Sequence, residues 1–189
     1  MEQFSYVMVL ASVVIGLGLT HLLQGVARIV QHPRRFRPYW PHLVWVAYVF
    51  EYAMLWWWYE FALAQRASWT FGLYSFVLVY AIVIAILCAL LFPVDLRGYR
   101  GFGDYLISRR GWFFGLNIAV ILLDVVDTLL KGMAHFRELG WHYPAAAVIF
   151  PLLYAVAIFV PNRRYIAFLA VLSLADHTWQ SFENFAVLP

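Results

Sequence analysis

The sequence predicts an all-α polytopic integral membrane protein with six transmembrane helices, forming one transmembrane domain over residues 1–189. Hydrophobic residues make up 65% of the chain and charged residues only 12%, whereas soluble domains average about 25% charged residues. A water-soluble fold of this size could not bury so much apolar surface, so a bilayer must solvate most of it. Six stretches are apolar over roughly the 20 residues that a membrane-spanning helix needs.

The predicted spans cover residues 4–30, 41–65, 71–92, 111–133, 144–160 and 165–187. Prolines mark several of their ends. Pro41 and Pro144 stand in first turns, where proline fits a helix, and Pro93 follows the third span. Pro151 lies inside the fifth span, where it is expected to kink the helix and leave the carbonyl of Ala147 without its helical donor.

Arginines concentrate in alternate loops, and this sets the predicted orientation. Ten of the 13 lysines and arginines lie in or beside the first, third and fifth loops: Arg28, Arg34, Arg35, Arg37, Arg97, Arg100, Arg109, Arg110, Arg163 and Arg164. The other three are Arg66, Lys131 and Arg137. The positive-inside rule places the arginine-rich loops in the cytoplasm and both termini outside it. We therefore expect a multi-pass protein of the cell inner (plasma) membrane, with the lipid bilayer as its main partner.

A short pattern, Leu-Leu-polar-Gly, recurs in segments 20–25 and 127–132. Two inverted three-helix halves, a common build among transporters, would explain it, and chance recurrence of an abundant residue is the alternative. Six helices enclose little interior, so a homo-oligomer is also expected. Gly16, Gly18 and Gly25, or the aromatic face of the second span, would supply the contact.

Polar side chains form a stripe along the fourth span: Asn117, Asp124, Asp127, Lys131 and His135. At about 100° of helix per residue, all of them fall within an arc of about 80°. Lys131 follows Asp127 by one helical turn, in the acid-before-base order that favours an intrahelical ion pair.

The sixth span carries a second stripe: Ser173, Asp176, His177, Gln180, Glu183 and Asn184. A polar helix face cannot look at lipid tails. We therefore predict that the stripes of spans four and six face each other across a site that opens toward the exterior. Glu51 in the second span or His21 in the first would extend a path inward, and Gln24 and Arg28 share the face of His21.

These residue types predict a site for a small cation, a proton-coupled solute or a small polar molecule. Asp124, Asp127 and Asp176 would attract a cation or relay protons. His177 would be the titrating group. The remaining predicted site residues are Lys131, Gln180, Glu183, Glu51 and His21. The alternative is an interhelical hydrogen-bond network that only holds the bundle together.

Three function classes follow. The first is a small membrane transporter or channel, and the second is a non-transporting sensor or partner subunit with an outward-facing ligand cleft. The third is a metal- or haem-dependent membrane enzyme. Its candidate metal ligands are Asp124, Asp127, Asp176 and His177, and its candidate haem ligands are His21 and His177.

Several other classes are excluded or unsupported. Cys88 is the single cysteine, which excludes an internal disulfide, a Cys-X-X-Cys redox pair and a thiolate zinc site. No Gly-rich phosphate loop, nucleophile elbow or arginine ladder is present. No pattern requires a cofactor, and because the positive charge lies in short loops between apolar spans, no nucleic-acid partner is expected.

Overall fold

A computed structural model of the chain describes residues 2–34, 36–65 and 68–184, without the side chains of Glu2, Gln65 and Asn184. These residues form helices joined by short loops: α1 (Glu2–Gln31), α2 (Trp40–Glu60), α3 (Phe71–Leu91), α4 (Phe102–Lys131), α5 (Met133–Glu138), α6 (His142–Phe159) and α7 (Arg163–Asn184). A 3-10 turn, Phe61–Gln65, follows α2. Arg35, Arg66, the predicted end of the sixth span at 185–187 and the side chain of Asn184 in the second stripe lie outside this description.

Local hydrogen bonds set several helix ends. The Thr70 hydroxyl accepts from the amide of Leu73 over 3.2 Å at the start of α3. The Asn162 carboxamide oxygen accepts from the amides of Arg164 and Tyr165 over 2.9 and 3.2 Å at the start of α7. Each side chain satisfies amides that have no partner in the first turn of a helix.

Helix α4 differs from its prediction at both ends. It begins at Phe102 rather than at 111. In the preceding loop only Gly98 and Gly101 have positive φ angles, of 96° and 145°, so the helix can start directly after Gly101. It ends at Lys131, where Gly132 takes a φ of 121° that other residues rarely adopt. His135 therefore lies on the short helix α5, not on the fourth span as predicted.

Four helices are long and apolar enough to cross a membrane: Gln3–Gln31, Phe71–Leu91, Phe102–Lys131 and His142–Phe159. The chain is thus a helical membrane protein by length and composition. Helices α2 and α7 have 21 and 22 residues, but tryptophans and tyrosines in α2 and the polar stripe in α7 lower their hydropathy. Composition therefore supports four of the six predicted spans.

Helices α1 and α3 run parallel to each other. Phe4 packs on Trp69 just before α3, Gly18 packs on Ala85, and further along the chain His21 Nε2 lies 2.8 Å from the carbonyl of Phe92. Gly18 and Gly25, which the sequence offers as oligomer contacts, instead bring α1 close to α3 within one chain.

Helix α2 runs antiparallel to both of these helices. At its start, His42 Nε2 lies 2.7 Å from the carbonyl of Leu91 at the end of α3. In its second half, Trp56 packs on Tyr80 with ring centroids 5.6 Å apart. The 3-10 turn that follows α2 brings Phe61 to within 6.1 Å of the ring of Phe4. Helix α2 therefore covers the full height of α1 and α3.

Helices α4 and α6 form an antiparallel pair beside α3. Near the start of α4, Tyr105 donates to the carbonyl of Leu90 over 2.7 Å, so α4 runs opposite to α3. Arg110 Nε donates to the carbonyl of Ile158 over 3.1 Å. At the other end of the pair, the hydroxyls of Thr128 and Tyr143 are 2.9 Å apart.

Helix α7 returns beside α6 and runs parallel to α2. The hydroxyls of Ser173 and Tyr154 are 2.7 Å apart, and Thr178 donates to Glu51 Oε2 over 2.9 Å. The six long helices therefore alternate in direction along the chain. Their pairing does not repeat between the halves, because α1 packs mainly on α3 whereas α4 packs mainly on α6.

Candidate functional site

A cavity of about 110 Å³ lies between α2, α4, α6 and α7, with α5 at one end. We call it the polar cavity. Its polar lining consists of Tyr48, Tyr52, Tyr59, Asp124, Thr128, Lys131, His135, Tyr154, Ser173, Asp176, His177 and Gln180. A buried water needs about 10–15 Å³ of such space, so the cavity has room for several waters or one small solute.

Helices α4 and α7 face each other across this cavity rather than packing directly. Asp124 projects into it from α4, and Asp176, His177 and Gln180 project from α7. The two stripes therefore share one cavity, and α2 and α6 form its other walls. Lys131 also reaches the lining, so five of the predicted site residues meet here.

Asp124 accepts hydrogen bonds from two tyrosines on different helices. Tyr143 of α6 donates to Oδ2 over 2.8 Å, and Tyr80 of α3 donates to Oδ1 over 3.4 Å. The Tyr80 hydroxyl is also hydrogen-bonded to that of Tyr52, which lines the cavity. Asp124 thus connects three neighbouring helices through phenol groups, which are good donors to a carboxylate.

Asp176 has its own partners on α6 and α7. His142 Nε2 lies 3.2 Å from Oδ1, and Gln180 Nε2 donates to Oδ2 over 2.8 Å. The side chains of His142 and Asp176 are both partly exposed, so this end of the site is accessible from outside the bundle.

His177 is enclosed by aromatic rings. The ring centroids of Tyr48, Tyr52 and Tyr59 lie 5.8, 5.1 and 6.2 Å from that of the imidazole. Its Nδ1 is 3.8 Å from Glu51 Oε1, which is too long for a hydrogen bond. Within residues 2–34, 36–65 and 68–184, neither ring nitrogen has a hydrogen-bond partner.

Lys131 forms a buried ionic group with two carboxyl groups. The predicted pair with Asp127 is present, and Lys131 Nζ also donates to Glu60 Oε1 of α2 over 3.4 Å. Beside this group, burial and the Lys131 ammonium lower the pKa of His135 on α5 below its ordinary value of 6.5. Glu60 was not a predicted site residue, because α2 shows no polar stripe that includes it.

Four predicted site residues lie outside the cavity lining: Asp127, which pairs with Lys131, and Glu183, Glu51 and His21. Glu183 is exposed and accepts from Trp179 Nε1 over 2.9 Å, one turn earlier on α7. Glu51 lies behind His177 and accepts from Thr178. His21 lies at the opposite end of the bundle, against the carbonyl of Phe92.

The described residues do not assemble the metal or haem sites considered from sequence. Among them, no three His, Cys, Asp or Glu side chains converge so that they could hold a metal ion. The candidate ligands are divided between separate partners: Asp127 pairs with Lys131, and Asp176 with His142. His21 and His177 cannot bind one haem, because they lie at different ends of the bundle.

An aromatic layer closes the polar cavity at its deep end. The Trp45 ring packs on Phe113, Phe114 and Tyr154, with centroids 5.0, 5.5 and 6.1 Å away. All four side chains are almost completely buried.

Sequence reasoning missed the tyrosines of the site, although a signal was present. On α2, Tyr52 follows Tyr48 by about one helical turn, and Tyr59 follows Tyr48 by about three turns. The three side chains therefore share one face of the helix. That face meets α7 and the polar cavity.

The chain matches no protein-family model, and comparison with curated proteins and with solved structures finds no similar protein.

Proposed function

We propose that the protein is a small membrane carrier that binds a cation, a proton-coupled solute or another small polar molecule in the polar cavity. One observation supports this most: Asp124 and Asp176, on helices that do not pack directly, line the same cavity. Carboxylates inside a membrane bundle are costly to bury, so they typically mark an ion or substrate pathway.

Six membrane crossings fit the helix directions best. Because α1 and α3 are parallel and each is long enough to span, the chain must return between them. Helix α2 is the segment that does so. Helix α7 crosses in the same way. It begins at the level of Asp104, which lies 3.9 Å from Arg163, and it ends at the level of Tyr59, at the far end of α2.

The charge distribution supports an outward-facing cavity in the inner (plasma) membrane. Arg97, Arg100, Arg109 and Arg163 lie at the end of the bundle where α3 and α6 finish and where α4 and α7 begin. The positive-inside rule assigns that end to the cytoplasm. The polar cavity lies in the opposite half, beside α5, and both termini then lie outside the cytoplasm.

The closed aromatic layer favours a carrier over an open channel. A channel needs a continuous polar path, whereas a carrier exposes its site to one side at a time. In this conformation the site is accessible near His142 and closed at Trp45. Moving the α2–α7 pair relative to the α4–α6 pair would open the other end.

Flux in proteoliposomes tests the proposal. Wild type would be assayed with H⁺, Na⁺, K⁺ and tetramethylammonium, beside Asp124→Asn and Asp176→Asn. We expect each variant to lose about tenfold or more in flux, which equals about 1.4 kcal/mol. The matched control is Glu138→Gln, whose side chain is 75% exposed. Unchanged flux in both variants, with an active wild type, would refute the proposal.

A second candidate is a non-transporting sensor or partner subunit that binds its ligand in the same cavity. The same aromatic layer favours it, because a receptor needs only one open end. Tetramethylammonium that protects the protein against thermal unfolding, but is not transported, would support this candidate over a carrier.

A further inference from the structure

The buried ionic group of α2 and α4 contains one cation and two carboxyl groups. The side chains of Lys131 and Glu60 are 4% and 1% exposed, and that of Asp127 is 2% exposed. With both carboxyl groups ionised, the group would carry a net negative charge on side chains that are almost completely buried. A buried, uncompensated charge costs several kcal/mol.

The hydrogen bonds of this group are incomplete without a further proton. Lys131 Nζ contacts Glu60 Oε1 and Asp127 Oδ2. The other oxygens, Glu60 Oε2 and Asp127 Oδ1, are buried and have no donor among the described residues. Because both contact the same ammonium group, the two carboxyl groups are close neighbours. Two carboxylates only accept, so they can bond to each other only through a shared proton.

The neighbouring titratable groups do not supply the missing donor. Two of these groups are the hydroxyls of Tyr80 on α3 and Tyr143 on α6. Asp124 accepts from both of these hydroxyls. His135 of α5 directs Nδ1 toward Glu138, 4.0 Å away.

We propose that Glu60 and Asp127 bind one proton between them beside Lys131, so that the three side chains form an electrically neutral proton-binding site. One carboxyl group donates to the other, and the remaining negative charge is balanced by the ammonium. Because Lys131 also lines the polar cavity, loss of this proton would leave a negative charge at the cavity wall. The inference does not depend on whether the cavity transports anything.

Infrared difference spectroscopy of the protein in lipid nanodiscs at pH 7 tests this directly. We expect Glu60→Gln to lose the C=O stretch of one protonated carboxyl group relative to wild type, with no loss of carboxylate bands. Asp127→Asn should give the same change, because in each variant the remaining carboxylate pairs with Lys131. The control is Glu138→Gln, whose exposed carboxylate should disappear from the carboxylate bands.

The opposite spectra would overturn the proposal. Loss of a carboxylate band in Glu60→Gln and Asp127→Asn would show that both groups are ionised, with a water or a metal cation between them.

The folding of the Glu60→Gln variant is a second test. A glutamine at 60 has the shape and the donor of a protonated glutamate, so Glu60→Gln should fold and melt like wild type. A Glu60→Gln protein that does not fold would also contradict the shared proton.

Discussion

The hydroxyl of Tyr143 on α6 donates to Oδ2 of Asp124 on α4 over 2.8 Å, and it is also 2.9 Å from the hydroxyl of Thr128. This bond closes the wall of the polar cavity between two helices that are each apolar enough to span the membrane. It therefore contributes to stability as well as to the shape of the site.

We predict that Tyr143→Phe destabilises the protein by about 1–3 kcal/mol, because the partly buried Asp124 carboxylate loses a donor. The measurement is the melting temperature of the purified protein in detergent. Tyr6→Phe is the control, since Tyr6 is 77% exposed. Equal melting temperatures for Tyr143→Phe and wild type would show that the bond adds nothing to stability.

Lys131→Met should be among the most harmful single changes in the chain. It leaves Glu60 and Asp127 buried without their cation, and breaking a buried ion pair in this way costs about 3–5 kcal/mol. The triple variant Glu60→Gln, Asp127→Asn, Lys131→Met should recover much of the loss, because it removes the charges together.

The pH dependence of Lys131→Met has a defined sign. Its folded state must keep both carboxyl groups protonated, whereas the unfolded chain releases those protons above about pH 4. The folded state then binds more protons, so the stability of the variant falls as pH rises. Melting temperatures from pH 5 to pH 8 should fall more steeply than those of wild type, and parallel curves would count against this account.

Gly18→Ala should weaken the contact between α1 and α3. A Cβ at Gly18 would lie 3.0 Å from Cα of Ala85, so the two helix backbones would have to separate. Gly16→Ala is the matched control two residues earlier, where nothing lies within 4 Å of the new atom. We expect a lower melting temperature for Gly18→Ala and an equal or higher one for Gly16→Ala. The reverse order would show that α1 does not pack on α3 in this way.

His135 should make the protein less stable in mild acid. Its pKa in the folded protein is below the ordinary value of 6.5, because burial and Lys131 disfavour the imidazolium. As pH falls below 6.5, the unfolded chain takes up a proton that the folded protein does not, so the free energy of unfolding decreases. His135→Gln should remove this part of the pH dependence of the melting temperature. Superimposable curves of melting temperature against pH for His135→Gln and wild type would show that His135 does not contribute to this pH dependence.

The stripes on α4 and α7 were predictable because charged residues at helical spacing cannot face lipid. Asp124 and Asp176 therefore lie where periodicity placed them, on two walls of one cavity. Periodicity within one helix says nothing about partners on another helix. For that reason Glu60, the second partner of Lys131, could not be assigned from sequence.

The end of α4 depended on a local backbone conformation. A continuous apolar and polar pattern from Asn117 to His135 predicts one uninterrupted helix, but Gly132 takes a positive φ and starts a new one. Glu183 fitted the stripe of α7 as well, and yet it bonds to Trp179 on the exposed side. A polar helix face contributes to a site only along the part of the helix that neighbouring helices cover.

The central claim, that α4 and α7 turn their polar sides toward one water-filled cavity, can be measured by cysteine accessibility. Cys88 is the single cysteine, so a Cys88→Ser background allows cysteines to be introduced one at a time. The informative pairs are neighbours in sequence: Ile121 with Leu122 on α4, and Asp176 with Ala175 on α7. In each pair the first residue lines the cavity and the second is exposed on the outer face of the bundle.

The reagent is a small thiol-specific compound that does not cross membranes, added to the protein in proteoliposomes. We predict that the Ile121→Cys and Asp176→Cys proteins react, because water reaches the cavity, whereas the Leu122→Cys and Ala175→Cys proteins, facing lipid, do not. Labelling of the Leu122→Cys and Ala175→Cys proteins alone would contradict the account, since it would place the polar sides of α4 and α7 away from water.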